Sequence, residues 1–565
     1  MIGMKFKSKY LIILITLVFV NQLIIVKGQN AENYTNLYKN LHFAMEQVVI
    51  PVFPDKKFSI ADFGGVGDGV FLNTHAFSKA INTLSQKGGG TLNVPNGIWL
   101  TGPITLKSNI NLHLEDGALL IFSKNYDDYP LIETYFEGLV TKRCISPING
   151  RGLENIAITG KGIIDGSGEV WRPVKKGKMT SEQWKQLIAR GGVLNTSKDT
   201  WYPTQKSLEG ALRTTTFNVP EGIKTDEEWN SVKDFLRPVM IGLIECKKIL
   251  LQGVVFQNSP AWNIHPLMCQ DLTIDGVTIR NPWYSQNGDG IDLESSKNVI
   301  IANSSFDVGD DAICIKSGKD EQGRNRGLPT ENVIVDNCTV YHGHGGFVIG
   351  SEMSGGARNI KVSNCTFIGT DVGLRFKSNR GRGGIVEDIY VENIKMINIP
   401  TEAILFDIFY NGKSATELLE KGETLPVSSI YPVSIETPVF RKISFNNITC
   451  NGARRALFFN GLPELNIQDI TMKNMTISSQ LGADIRESDR IMVENIRILN
   501  TEGPAIILKN SKNIDIKGFS SSKDMKCVLK VEGETSKNIR VKSNSITKEN
   551  TLVQKEVTEI PEITK

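Results

Sequence analysis

Apolar and polar residues alternate with period two in four segments of this chain: DGIDLES (289–295), DAICIKS (311–317), GGFVIGS (345–351) and VGLRFKS (372–378). Aligned on their final serines, they place Ile291, Ile313, Phe347 and Leu374 in one apolar column and Leu293, Ile315, Ile349 and Phe376 in a second. Strict alternation predicts short strands with one apolar and one polar face. A second phrase recurs as GVVF at 253, GVTI at 276, NSSF at 303, NCTV at 337, NCTF at 364, NIKM at 393, NITC at 447, NMTI at 474 and NIRI at 495. Most of these spacings are 21 to 34 residues, and the gap of 54 before 447 holds a long insertion. Self-similarity at that period marks a solenoid. Each unit is too short for a βαβ crossover, and Gly, Asn and Asp turns separate the strands. The expected architecture is all-β: a parallel β-helix in which every coil adds one strand to each of several sheets, rising about 4.8 Å per coil.

The same stacking predicts how polar residues meet. Asn303, Asn337, Asn364, Asn393, Asn447, Asn474 and Asn495 fall at one corner and read as a ladder of side-chain amides, although several also spell N-x-S/T sequons. Cys338 and Cys365 share a rung position, which admits a disulfide or two stacked buried thiols. Asp289 comes into register with Asp311, and Asp310 with His344. The strands therefore bring Asp289, Asp310, Asp311, His344, Arg375 and Lys377 together at one sheet edge.

At 565 residues the length alone suggests three or four domains, but a solenoid grows without splitting. The 52 glycines suit a turn-rich chain, and a net charge of +3 is too small to imply nucleic acid. The eight cysteines form no C-x-x-C, so zinc or redox chemistry is not indicated. Lys5, Lys7 and Lys9 precede an apolar run from Leu11 to Val26 that Asn21 and Gln22 interrupt, with Gly28 beyond it. Residues 1–28 are thus expected to be a cleaved signal, with a secreted or periplasmic mature protein and no stable membrane insertion. Residues 29–57 read as a short helical lead-in, 58–540 as the β-helix, and 541–565 as a charged, frayed tail. Insertions near 166–236 and 408–438 interrupt the repeat; the first holds Trp171, Trp184, Trp201 and Trp229, four of the seven tryptophans.

Four short elements occur in order on consecutive coils: Asn287-Gly288-Asp289, Gly309-Asp310-Asp311, Gly343-His344-Gly345 and Arg375-Phe376-Lys377. With FSIADFGGVGDG (58–69) and GGGTLNVPNGIWLTGPITLKSNINLHLEDGALL (88–120), they make the chain resemble the polygalacturonase-type enzymes of glycoside hydrolase family 28 over roughly residues 58 to 510. Gly288 stands where that family commonly has Thr, and Phe376 where Ile is common; neither change touches an ionisable group. The resemblance implies a right-handed, pectin-lyase-like single-stranded β-helix and a short helix closing its N-terminal end, which Asn73 is expected to cap. It also implies hydrolysis of α-1,4-galacturonosyl links in an acidic polysaccharide, with rhamnogalacturonan as an alternative substrate and Ca²⁺-dependent, lyase-like elimination as an alternative chemistry. GGVGDG (64–69) lacks a following Gly-Lys-Ser/Thr and reads as a turn, not a phosphate loop.

Glycosidic hydrolysis with inversion needs an acid at the leaving oxygen and a base that activates water on the opposite face. Asp289 and Asp311, stacked on adjacent coils, are expected to share one water. Asp310 diverges from Asp311 and stands as the proton donor, roughly 6.5–9.5 Å from that pair. The resemblance implies the same roles. His344 is expected to tune the acid, and Arg375 and Lys377 to bind a substrate carboxylate. Asn263, His265, Lys316 and Arg280, on nearby coils, are expected to line the groove, Tyr410 to stack on a sugar, and Asn287 to position Asp289 or its turn and to contribute to substrate binding. Asp292 and Glu294 read as ion-pair partners of lysines. No metal or cofactor is expected, because Arg375 and Lys377 oppose a cation among the aspartates. The long aromatic insertion 166–236 is expected to wall off one end of the groove and favour action on chain ends; endo action is the alternative.

Overall fold

The computed structural model describes residues 34–214, 218–410, 429–522 and 525–564. The expected signal segment 1–28 lies outside the described residues, as does most of the insertion near 408–438. The chain forms a parallel β-helix. One stack of strands runs through Ile264–Leu267, Ile291–Glu294, Asp311–Lys316, Gly345–Ile349 and Val372–Lys377, each paired parallel with the next. Gln270–Asp275, Lys297–Ala302, Thr330–Asp336 and Ala357–Ser363 build the second stack. Thr278–Arg280, Ser305–Asp307, Thr339–His342 and Thr366–Ile368 build the third. Both apolar columns hold in register. Ile291 pairs with Ile313, Phe347 and Leu374 in turn, and Leu293 with Ile315, Ile349 and Phe376, all fully buried. Phe376 continues the column by stacking on Phe406, ring centroids 4.4 Å apart.

Asparagine lines the corner after the second stack because the chain there turns through left-handed backbone, with φ between 52° and 57° at the seven ladder positions. Asn337 donates to Asn303 (2.7 Å), Asn393 to Asn364 (3.1 Å), Asn447 to Asn393 (2.7 Å) and Asn495 to Asn474 (3.4 Å). Two rungs depart from the column: Asn364 donates to Asp336 and Asn474 to Asn446. A second ladder, Asn359 to Asn332 to Asn298, stands at another corner. Cys338 and Cys365 are buried free thiols.

Three expectations are corrected. The lead-in is not helical beyond one turn at Thr35–Tyr38; it continues as an extended strap on the outside of the coils. Val52 exchanges backbone hydrogen bonds with the Asn155 side chain, Tyr34 and Val48 pack on Ile300 and Ala302, and His42 stacks on Tyr390 at 4.4 Å. Pro51 and Pro54, with β-branched Val48, Val49 and Ile50 before them, disfavour a helix there. Residues 541–565 are not a frayed tail: Thr551–Val553 pairs with Leu529–Glu532, and Glu562–Thr564 with Lys537–Lys542, extending the solenoid. Asn73 precedes the end helix Thr74–Gln86 but makes no side-chain cap. Its amide instead ties down the preceding loop, accepting from Val66 N (2.8 Å) and donating to the carbonyls of Val66, Phe71 and Leu100. The helix buries Phe77, Ala80, Ile81 and Leu84 against the first coils. In GGVGDG, Asp68 accepts from the amides of Val70 and Phe71, which makes the segment a side-chain-closed turn.

Two excursions leave the helix beside the Asp289 coil. Leu131–Phe136 and Leu139–Cys144 form an antiparallel hairpin that the periodicity did not announce. The insertion 166–236 folds as a small antiparallel sheet (Val174–Lys175, Val193–Leu194 and Thr200–Tyr202) with helices Ser181–Ala189, Gln205–Leu212 and Asp226–Ser231. Its tryptophans explain its stability. Trp184 and Trp201 pack with Val174 and Tyr284, Trp171 sits edge-on to Tyr126 and Tyr129, and Trp229 covers Phe235. Buried arginines fasten it to the coils. Arg172 reaches the carbonyl of Ser259 and the side chain of Asn258, and Arg237 reaches the carbonyls of Pro260 and Gln286. No helix among the described residues is long and apolar enough to cross a membrane.

Candidate active site

Along the first stack, the residues between the apolar columns point outward. On Val372–Lys377 these are Arg375 and Lys377; on Asp311–Lys316, Cys314 and Lys316; on Ile291–Glu294, Asp292 and Glu294. Gly350 makes room among them, since a Cβ there would lie 2.9 Å from Cys314 Sγ and 3.2 Å from Lys316 Cγ. The strands begin at one edge, where Gly290 N donates to Asp311 O (2.9 Å) and His344 N donates to Asp310 O (2.9 Å). This sets Asp289 beside Asp311 and Asp310 beside His344. Carboxylate oxygens of Asp289, Asp310 and Asp311 lie within 4.8 Å of one another. The expected wide gap between Asp310 and the other two is therefore not present. One coil rise separates Asp289 from Asp311, and one peptide unit separates Asp310 from Asp311, so the backbone holds all three close.

A cavity of about 410 Å³ opens over this edge and is lined by nine of the residues expected at the site: Asp289, Asp310, Asp311, His344, Arg375, Lys377, Asn287, Lys316 and Tyr410. His344 Nδ1 lies 3.0 Å from Asp310 Oδ1, with Asp371 Oδ2 3.8 Å and Lys178 Nζ 3.4 Å from its Nε2. Asp311 receives Lys377 Nζ at 2.7 Å and Arg375 Nη1 at 3.3 Å. Tyr410 lies beneath both cations, its ring 4.9 Å from Lys377 Nζ and 5.2 Å from the Arg375 guanidinium. Lys316 is more committed than the sequence suggested. It is buried 3.3 Å from both Asp292 and Glu352 and 3.9 Å above the Trp262 ring. Asn287 has left-handed backbone (φ 53°), and its Oδ1 accepts from Arg237 Nη2 (2.9 Å) and Asn218 Nδ2 (3.2 Å), which fixes the turn leading to Asp289.

Asn263, His265 and Arg280 do not reach the cavity. His265 pairs with Glu294 at 2.8 Å, Asn263 donates to Phe256 O, and Arg280 is exposed on the third stack. Glu294 is held by His265 and by Arg326 (2.6 Å), not by a lysine, whereas Asp292 does pair with Lys316. Both acids are fully buried. Sequence reasoning missed Lys175, Lys178 and Asn218 from the insertion, Glu137 from the hairpin, and Glu352 and Asp371. Only the expectation that the aromatic insertion walls off one end of the groove hinted at the first three.

The three aspartates share a site, but their proton affinities are pushed in different directions. Burial, reinforced by Asp292 and Asp310, pushes Asp289 well above the usual carboxylate range. Its Oδ1 is buried with no hydrogen-bond partner. Burial opposes ionisation of Asp311, yet Lys377 and Arg375 outweigh it and hold that carboxyl below its ordinary value. Asp310 is likewise held low, burial being overcome by His344, Lys377 and Lys178. Burial acts against a charge on His344, but Asp310 raises its proton affinity overall. Burial and charge therefore favour a proton on His344, 3.0 Å from Asp310, and a second one on Asp289, and disfavour one on Asp310. A group with a raised folded pKa adds stability below its unfolded value and loses it as pH rises through the folded value. For His344 that loss begins above about 6.5. For Asp310, lowered on folding, the contribution is present above about 3.9 and lost as pH falls further. The alkaline limb of kcat/KM should lie above pH about 6.5, and in His344→Gln it should move to lower pH with kcat down about 10²-fold. An unmoved limb in a pH profile of that variant would dissociate His344 from the acid.

The chain is similar to known proteins in both sequence and fold. Residues 226–439, which carry all four charged elements, match the model of glycosyl hydrolases family 28. A probable polygalacturonase of Vitis vinifera is 33% identical over 348 residues, covering 60% of this chain and 60% of the relative. An exo-poly-alpha-D-galacturonosidase of Dickeya chrysanthemi is 28% identical over 369 residues, 64% of this chain and 58% of the relative. The chain thus spans about 60% of the length of these curated relatives. A hyperthermoactive exopolygalacturonase from Thermotoga maritima superposes with a TM-score of 0.65 at 32% identity, over 80% of this chain and 94% of that one. With the family's residues matched, its fold shared across nearly the whole of a solved relative, and the aspartates gathered at one cavity, the chain belongs to glycosyl hydrolases family 28.

Proposed function

We propose that this protein hydrolyses α-1,4-galacturonosyl bonds of pectin or polygalacturonate with inversion, releasing units from chain ends. The observation that carries the reading is the cluster of Asp289, Asp310 and Asp311, oxygens within 4.8 Å, beside two buried cations on Asp311. Asp310 takes up the proton that His344 holds 3.0 Å away and delivers it to the glycosidic oxygen as the bond to the anomeric carbon breaks. Asp289, whose proton affinity is high, takes the proton of the attacking water once ionised, while Asp311, kept ionised, orients that water. Because Arg375 and Lys377 hold Asp311 as an ion pair, it serves as an anchor for water and not as a free nucleophile, which favours inversion despite the short carboxylate separation. Arg375 and Lys377 also face the cavity and suit a uronate carboxylate.

Action on chain ends is supported by the cavity wall. Lys175, Lys178 and Asn218 of the insertion and Glu137 of the hairpin close over the Asp289 side, and Asn218 clips the two together through hydrogen bonds of 2.8 and 2.7 Å to Glu137. The names of the Dickeya and Thermotoga relatives support the same mode. Export to the periplasm or medium is part of the proposal, supported by the basic then apolar residues 1–28. A second reading, Ca²⁺-dependent elimination, draws on the same three carboxylates, which lie close enough to ligate one ion. Arg375 and Lys377 oppose it. Incubation with polygalacturonate, followed by proton NMR and chromatography of early products, tests the proposal. Galacturonate monomer with inverted anomeric configuration, formed equally in the presence of chelator, is expected. A ladder of sizes would transfer the enzyme to the endo class, retention would displace the water mechanism, and a chelator-sensitive unsaturated product would establish elimination.

A further inference from the structure

We propose that Lys178 is a second carboxylate-binding group of this site, holding the uronate unit next to the one taken by Arg375 and Lys377. The inference rests on the polygalacturonate reading and narrows it to substrates bearing two adjacent charged units. Most of the cavity's cations are already committed. Arg375 and Lys377 pair with Asp311, Lys316 with Asp292 and Glu352, and His344 with Asp310. Lys178 differs. Among the described residues its contacts are the Gly309 carbonyl and His344 Nε2, both at 3.4 Å, and no carboxylate pairs with it.

An ammonium drawn partly out of water with no carboxylate in contact costs free energy, and an anionic ligand that touches it lowers that cost. Burial lowers its proton affinity, and Lys175 adds to that, while Asp310, Asp371 and Asp289 act against it without any of them reaching pairing distance. Lys178 is also held in place. It ends the turn Lys176–Lys178, which follows Val174–Lys175, a strand paired with Thr200–Tyr202. That small sheet packs through Trp184 and Trp201 onto Tyr284, on the segment leading to Asp289. Lys178 reaches the chain at Gly309 and His344, flanking Asp310, whereas Arg375 and Lys377 close on Asp311. Two carboxylate-binding points thus bracket the acid and its partner.

The test compares Lys178→Met and Lys178→Arg with the wild type on digalacturonate and on an aryl α-galacturonide, which has a single carboxylate. Lys178→Met should lose roughly 10- to 100-fold in kcat/KM on digalacturonate, chiefly through KM, and at least about ten-fold less on the aryl substrate, while Lys178→Arg retains most of the activity. Wild-type enzyme given digalacturonate methyl-esterified on its second unit should show a comparable loss, which needs no variant to fold. Equal losses on both substrates, carried by kcat and accompanied by a shifted alkaline limb, would mean that Lys178 acts through His344 and would overturn the assignment. An undiminished KM for digalacturonate in Lys178→Met would do the same while leaving the hydrolase reading intact. Failure of the wild type on every galacturonide would instead defeat that underlying reading.

Discussion

Replacing Asp310 by Asn is expected to lower kcat on polygalacturonate by about 10²- to 10⁴-fold, the range for loss of a positioned general acid. Substrate binding should persist, because the carboxylate-binding cations do not depend on Asp310: Lys377 and Arg375 are held by Asp311 at 2.7 and 3.3 Å. The amide is nearly isosteric, so the backbone bond from Asp311 N to Asp310 Oδ1 (3.0 Å) can be kept. His344 should respond in a defined direction. Its raised proton affinity derives from Asp310, so in Asp310→Asn the imidazole should titrate lower, which NMR of the ring protons reads directly. Wild-type-like kcat in this variant would remove Asp310 from the chemistry. A proportional loss of binding and turnover would make it a substrate contact instead.

Lys377→Met should be strongly destabilising. Lys377 and Asp311 are both buried, their side chains 9% and 2% exposed, and removing one member of such a pair leaves a charge without compensation. The loss at neutral pH should be about 3 kcal/mol, the lower end for breaking a buried pair, because Arg375 still faces Asp311. The sign with pH follows from Asp311. In the wild type its folded pKa is depressed by Lys377 and Arg375 against burial, so the pair stabilises above the unfolded value of about 3.9 and that contribution fades as pH falls through the folded pKa. In the variant the same carboxyl is driven upward by burial and destabilises the ionised state. The gap between the two proteins should therefore be widest near pH 7 and narrow toward pH 4.5, as read by urea denaturation. A gap of constant size would assign the loss to packing. Turnover should fall as well, since Lys377 holds Asp311, which orients the water, and lines the carboxylate pocket.

Local pattern carried much of this molecule. Period-two alternation placed Ile291, Ile313, Phe347 and Leu374 in a column because stacked parallel strands require like residues to lie over like. The corner asparagines were legible for a related reason: a left-handed turn repeated every coil favours Asn, and stacking lets each amide meet the next. Asp289, Asp310, Asp311 and His344 were found by the same register, without knowledge of any distance. The lead-in and the tail were misread because neither shows the repeat: the strap of 39–57 gains its order from surfaces elsewhere in the chain, and the last coils are short and charged. Lys178, Asn218 and Glu137 were invisible because nothing in their neighbourhoods is periodic. Their place in the cavity depends on how tryptophans and buried arginines dock an insertion and a hairpin onto distant coils.

The sequence by itself determined the β-helix, the order of its coils and which ionisable groups share its edge, since these follow from side-chain alternation and a one-dimensional repeat. Tertiary structure alone decided how close the aspartates stand, in which direction each one's proton affinity is pushed, and what closes the cavity. Those properties depend on burial and on charges brought from remote segments, and neither is encoded in the spacing of residues along the chain.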